Sequence, residues 1–248
     1  HIALTYGGHG GTSIEFGGTG LSALSMANRR TIATMCAELG AEFSIFEYDD
    51  VTAAYLADRV SRPVTPVYPD RDANYVEVRR INLSEVEPYV IFPDAVLDNG
   101  ERLSAFHQQV KIHQAFIGSC ANGLIEDLRV AAAIVKGRRV ARNVRFIVTP
   151  GSQSVYLQAV REGLVEVLVA AGAVVTNSTC GACFGYHMGV LAKDEVCLTA
   201  STRNFRGRMG SADARIYMAS PATVAASALT GMISDPRAFS LSELQAEQ

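Results

Sequence analysis

From Ala115 onward, short apolar runs alternate with helical patterns so regularly that few architectures are left open. Residues 115–119, 144–148, 173–176, 196–200 and 216–219 read as buried strands. Between them, 124–135, 152–162 and 164–171 carry apolar residues at helical spacing. Ser220-Pro221 opens a last helix with a capping residue and a proline at its first position, and Gly231 closes it. Strands that alternate with helices imply a largely parallel sheet, and the fold class is α/β in three α/β/α layers.

The first part of the chain has a different texture. Residues 21–39 read as one helix ending at Gly40, 43–46 as a strand and 51–60 as a helix. Prolines at 63, 66, 69, 88 and 93 then punctuate the chain, and 75–78 alternates like a strand. The weakly patterned stretch 94–111 is the expected boundary, giving domains 1–105 and 106–248.

In an open parallel sheet the loops leaving the strands at their carboxyl ends share one edge, where ligands bind. Cys120 lies in one such loop, in Gly-Ser-Cys-Ala-Asn-Gly. Cys180 and Cys183 lie in another, Asn-Ser-Thr-Cys-Gly-Ala-Cys-Phe-Gly, and a third, 201–208, carries Arg203, Arg206 and Arg208. Three thiols beside small residues suit a metal centre with one open coordination position, and an inorganic cluster better than a single ion. Arginine forks suit carboxylates, so a small polycarboxylate is the expected substrate. The same cysteines with His187 also make a three-cysteine, one-histidine zinc set, and a zinc or other non-catalytic metal protein stays open at this point. Cys36 and Cys197 fall in apolar patterns and read as core; His9, His107, His113 and His187 are scattered singly and read as structural.

Composition narrows the class. A net charge of -3 gives no reason to expect a nucleic acid, and the run Lys136-Gly137-Arg138-Arg139 sits where a helix ends, where basic residues complement the helix dipole. No apolar run approaches the roughly 20 residues of a membrane-spanning helix. Five cysteines without a secretory pattern fit a reducing cytoplasmic setting rather than a disulfide framework. The chain opens at His1 into a glycine-rich stretch, which reads as the middle of a domain and hence as a fragment.

Several segments in one order resemble the aconitase superfamily, in particular its large-subunit branch of isopropylmalate dehydratase and homoaconitase-like enzymes. They are Ile14-Glu15-Phe16, Phe116-Ile117-Gly118-Ser119-Cys120, Ile125-Glu126-Asp127-Leu128-Arg129, His187-Met188-Gly189-Val190-Leu191, Arg203-Asn204-Phe205 and Gly207-Arg208-Met209-Gly210. The resemblance implies a [4Fe-4S] cluster held by Cys120, Cys180 and Cys183, with one iron not ligated by cysteine. It implies a hydro-lyase acting on a hydroxy-di- or tricarboxylic acid, with Arg203 and Arg208 on substrate carboxylates and Glu15 a catalytic residue near the bound substrate or iron-bound water. A small swivel-domain subunit is the implied partner. Members of the family carry a further domain ahead of the segments matched here, so the expectation is a chain inactive by itself. The sequence departs from the family pattern at Ala121, usually Thr, at Thr202, usually Asn, and at Ala182, usually Pro. These changes lie beside the expected cluster and leave its three ligands in place.

Overall fold

The computed structural model describes residues 1–8 and 10–239, so His9 lies outside the described residues. It resolves into two compact units: Gly8–Val86, and His1–Gly7 together with the chain from Glu87 on. A short helix, α1 (Ile2–Tyr6), opens the chain.

In the smaller unit, β1 (Ser13–Phe16), α2 (Met26–Met35) and β2 (Phe43–Phe46) form a strand–helix–strand crossover with the two strands parallel. The rings of Phe16 and Phe46 stack at 4.6 Å. The single helix expected over 21–39 is broken. Thr19–Ala23 is a 3-10 turn, and Ser25 starts α2 by accepting from the Asn28 amide at 3.2 Å while Asn28 accepts from the Ser25 amide at 3.3 Å. That reciprocal cap outweighs the apolar spacing that runs across it. Gly40, at φ 78°, ends the element as expected. α3 (Asp50–Ala57) follows, capped by Asp49. Residues 75–78 form no strand; they alternate in sequence but find no ladder, and Val76 is fully exposed.

The larger unit is a seven-stranded sheet. β3 (Tyr89–Ile91) and β4 (Gly100–Arg102) form an antiparallel edge. The remaining elements, in chain order, are β5 (Gln114–Ile117), α4 (Ser119–Asn122), α5 (Ile125–Val135), β6 (Arg145–Val148), α6 (Gln153–Arg161) and α7 (Leu164–Ala171). Then come β7 (Val174–Val175), α8 (Gly181–Phe184), β8 (Val196–Thr199), β9 (Arg215–Met218) and α9 (Pro221–Thr230). The order across the sheet is β4-β3-β9-β8-β5-β6-β7, with β5 to β9 mutually parallel. Every strand expected after residue 114 forms. The compact division falls at Val86/Glu87 rather than at 105/106, because β3 and β4 join this sheet through Ile91 and Met218.

Strand alternation divides the core cleanly. Ala115, Ile117, Phe146, Val148, Val196, Leu198 and Tyr217 face a layer built from α5, α6, α7 and α9. Phe116, Ile147, Cys197 and Ile216 face the other way, where Ala182 of α8 covers them together with Leu191, Met209 and Ala214 from irregular segments. The α/β/α layering therefore holds, and its second layer is made largely of the loops that carry the cysteines and arginines. Among the described residues no helix is long and apolar enough to cross a membrane.

Candidate functional site

The chain runs outward from β5 to β6 and β7, then returns to place β8 on the other flank of β5. That reversal makes the carboxyl ends of β5 and β8 the switch point of the sheet, the usual place for a ligand crevice. Two of the expected loops leave there.

The first turns sharply. Gly118 has no room for a side chain, since a Cβ would stand 2.5 Å from the Phe116 ring. Ser119 takes φ 86°, in the left-handed region that side chains rarely adopt, and its hydroxyl accepts from the amides of Ala121 and Asn122, both at 3.2 Å. The turn leaves Cys120 exposed. Buried Asn122 reaches across the switch point and donates to the carbonyl of Ala200, tying this loop to the one after β8.

After β7, the hydroxyls of Thr149 and Thr176 meet at 2.7 Å, and the chain turns into α8. Cys180 is exposed and Cys183 half-buried, linked by the Cys183 amide to the Cys180 carbonyl at 2.9 Å. Gly185, at φ 61°, presses against the backbone of Met209. The Leu191 amide donates to the Met209 carbonyl at 2.7 Å, and the Ser211 amide to the Leu191 carbonyl at 2.9 Å. The cysteine segment and the arginine segment are thus stitched into one piece.

The arginines are placed differently. Arg203 donates to the Thr202 hydroxyl at 3.4 Å, at the mouth of the β8 loop. Arg206 faces outward to the Ala212 carbonyl and Asp213, as expected of a solvated charge. Arg208 lies between the rings of Phe184 and Phe205, at 5.4 and 5.2 Å, and its Nη2 donates to the Cys183 sulfur at 3.5 Å. Its Nε is buried with no hydrogen-bond partner. Asn204, fully buried, donates to the Phe92 carbonyl at 2.6 Å and to the Ile216 carbonyl at 3.2 Å, holding the loop onto the sheet. Glu15 lies in the smaller unit, exposed on β1, where it accepts from the Tyr75 hydroxyl at 2.5 Å. That bond raises the Tyr75 pKa, since the phenol must stay protonated to make it.

Cys120, Cys180 and Cys183 therefore share one edge of one sheet, but they do not converge. Among the described residues no three His, Cys, Asp or Glu side chains stand close enough to hold a metal ion, with or without His187. Their chemistry fits a cluster: these three thiols reach the surface or its margin, whereas Cys36 and Cys197 are buried, the latter with its pKa pushed up to about 12 by burial. The Ser178 hydroxyl and the Arg208 Nε, both beside the cysteine loop, are buried donors without partners, as a site that takes a further acceptor requires. Asn122 and Asn204 were not marked by the sequence pattern. Asn204 directly follows Arg203 and Asn122 stands two residues after Cys120, but the partner of each is a carbonyl far away along the chain.

Residues 2–231 match the family described as "Aconitase family (aconitate hydratase)". The 3-isopropylmalate dehydratase large subunit of Mycolicibacterium smegmatis is 55% identical over 237 residues, covering 96% of this chain and 56% of that protein. Large subunits of the same name from Clostridium beijerinckii and Clostridium kluyveri are 50% and 48% identical over 224 residues, 90% of this chain and 53% of each. The chain spans about half the length of the curated relatives it matches.

Proposed function

The chain belongs to the aconitase family, and from that premise we propose that it forms part of the large subunit of an iron–sulfur hydro-lyase. The reaction is the dehydration and rehydration of a hydroxy-di- or tricarboxylic acid, with 3-isopropylmalate the first substrate to test. The observation that carries the reading is 55% identity to a large subunit so named, in a chain whose three solvent-facing or marginal cysteines share one sheet edge with two arginines.

Cys120, Cys180 and Cys183 would hold a [4Fe-4S] cluster with one iron left without a cysteine. Bound there, such a group supplies a Lewis acid that polarises a hydroxyl leaving group without any redox change. The protein's own part is orientation. Arg203 and Arg208 hold substrate carboxylates through their forked donors, and Asn122 and Asn204 keep the loops carrying Cys120 and Arg203 in register. Glu15, in the smaller unit, is the proposed acid–base residue, and the Tyr75 hydroxyl that donates to it orients its carboxylate. A small subunit is the proposed partner and the cytoplasm the proposed location.

The test is anaerobic reconstitution of the large subunit carrying this chain, together with its small subunit. A brown cluster and turnover of 3-isopropylmalate are expected, and Cys120→Ser, Cys180→Ser or Cys183→Ser should each abolish both. Cys36→Ala should retain colour and turnover. A colourless protein holding one zinc per chain overturns the reading, as does turnover that survives the loss of any of the three thiols.

A further inference from the structure

We propose that Arg208 is a positioning residue for Cys183, donating a charge-assisted N–H···S hydrogen bond to the ligand sulfur and so setting the electronic properties of whatever that sulfur binds. The inference rests on the iron–sulfur reading above and deepens it. A guanidinium that served only a substrate carboxylate would point its fork into the open crevice. Here Nη2 is instead directed at the Cys183 sulfur, at 3.5 Å.

Three features hold it in that pose. Phe184 and Phe205 flank the guanidinium within cation–π range, and both rings are on the segments that Arg208 joins. The Arg208 amide closes a turn on the Phe205 carbonyl at 3.1 Å, which fixes the start of the side chain. The neighbouring Met209 carbonyl receives the Leu191 amide, and Gly185 packs on the Met209 backbone, so the arginine cannot drift away from the cysteine segment independently. A second donor, Nε, is buried without a partner. It is free to meet an acceptor brought by a ligand, a carboxylate oxygen or a cluster sulfide, while Nη2 stays on the thiolate. One side chain would then touch both the metal's sulfur ligand and the substrate.

Hydrogen bonds to ligating sulfurs, and positive charge near them, stabilise the more reduced and more negative form of a cluster. Arg208→Gln is therefore expected to lower the reduction potential of the loaded protein and to speed iron loss to a chelator. Arg208→Lys should restore much of the potential, since the charge remains, but not the substrate affinity, since the fork is gone. Phe205→Leu, at an exposed ring, should give an intermediate potential by loosening the stack. A potential unchanged in Arg208→Gln and Phe205→Leu, with only KM raised, overturns the proposal and leaves Arg208 as a substrate contact. A wild-type protein that binds no cluster sinks the underlying reading, and this inference with it, before any variant is made. Near-ultraviolet and far-ultraviolet spectra of each variant separate misfolding from these outcomes.

Discussion

A methyl group on Gly185 would stand 2.5 Å from the carbonyl carbon of Met209, and the residue's φ of 61° already disfavours any other amino acid. The contact is backbone against side chain, so no rotamer change relieves it. Gly185→Ala is expected to destabilise the larger unit by about 2 kcal/mol or more, from strain and overpacking together. Gly137 makes the control: its φ is 70° with nothing within 4 Å, so Gly137→Ala should cost only the backbone strain, about 1 kcal/mol. Urea midpoints at constant slope give both values. Equal losses would show that Gly185 does not pin the cysteine segment to the arginine segment. The same residue scale explains the exposure of Cys120: the positive φ of Ser119 aims the next side chain out of the sheet, and the serine hydroxyl supports that strain through two amides.

At the scale of elements, the start of α5 carries a carboxylate with an unusual titration. Burial raises the Asp127 pKa to about 6, with Glu126 adding to the rise and the hydrogen bond from the Leu124 amide at 2.9 Å opposing it. A carboxyl whose folded pKa lies above its ordinary 3.8 binds its proton more tightly when folded. Its contribution to stability therefore falls as pH rises from about 4 to about 6 and stays low above. Glu195 runs the opposite way, because the bidentate Arg145 guanidinium holds its pKa down to about 2, and that stability is lost as pH falls below about 4.5. Asp127→Asn keeps an acceptor for Leu124 without the charge. It should flatten the decline between pH 4 and 6 and raise stability at pH 7 by about 1–2 kcal/mol, allowing for partial solvent screening. An unaltered pH profile in thermal melts would disprove it. Elements were legible in the sequence where burial decides them: β5, β6, β8 and β9 each carry at least three consecutive buried residues, because both faces of the sheet are covered there. Legibility failed where pairing decides. β3 and β4 are strands because β9 offers an edge, whereas 75–78 alternates without a partner. The cysteines and arginines were readable from their small-residue loops, but the Arg208–Cys183 contact was not, since it joins residues 25 apart through space.

At the scale of the whole molecule, the two compact units rest on different kinds of interior. The larger has two apolar clusters, one on each face of its sheet. The smaller is organised around a buried cation: Arg29 is 2% exposed and uses its donors on the Leu21 and Leu24 carbonyls, the Thr52 hydroxyl and both oxygens of Asp49. The guanidinium holds the Asp49 carboxyl well below the usual range, so this partnership persists above pH 4 and is lost only as pH falls well beneath it. The arrangement joins the turn before α2 to the cap of α3, and β1–β2 supplies too little sheet to hold those pieces without it. Arg29→Met removes the cation and leaves two carbonyls and the Asp49 carboxylate without the guanidinium, a loss of about 2–3 kcal/mol, below that of a pair buried on both sides because the Asp49 side chain is 27% exposed and keeps the Thr52 amide. Because that loss falls entirely within Gly8–Val86, hydrogen exchange should show amides of α2, α3 and β2 losing protection while those of β5, β6 and β8 keep theirs. Protection lost equally in both units would mean that they unfold as one cooperative body, and the buried arginine would then stabilise the entire chain rather than its smaller unit.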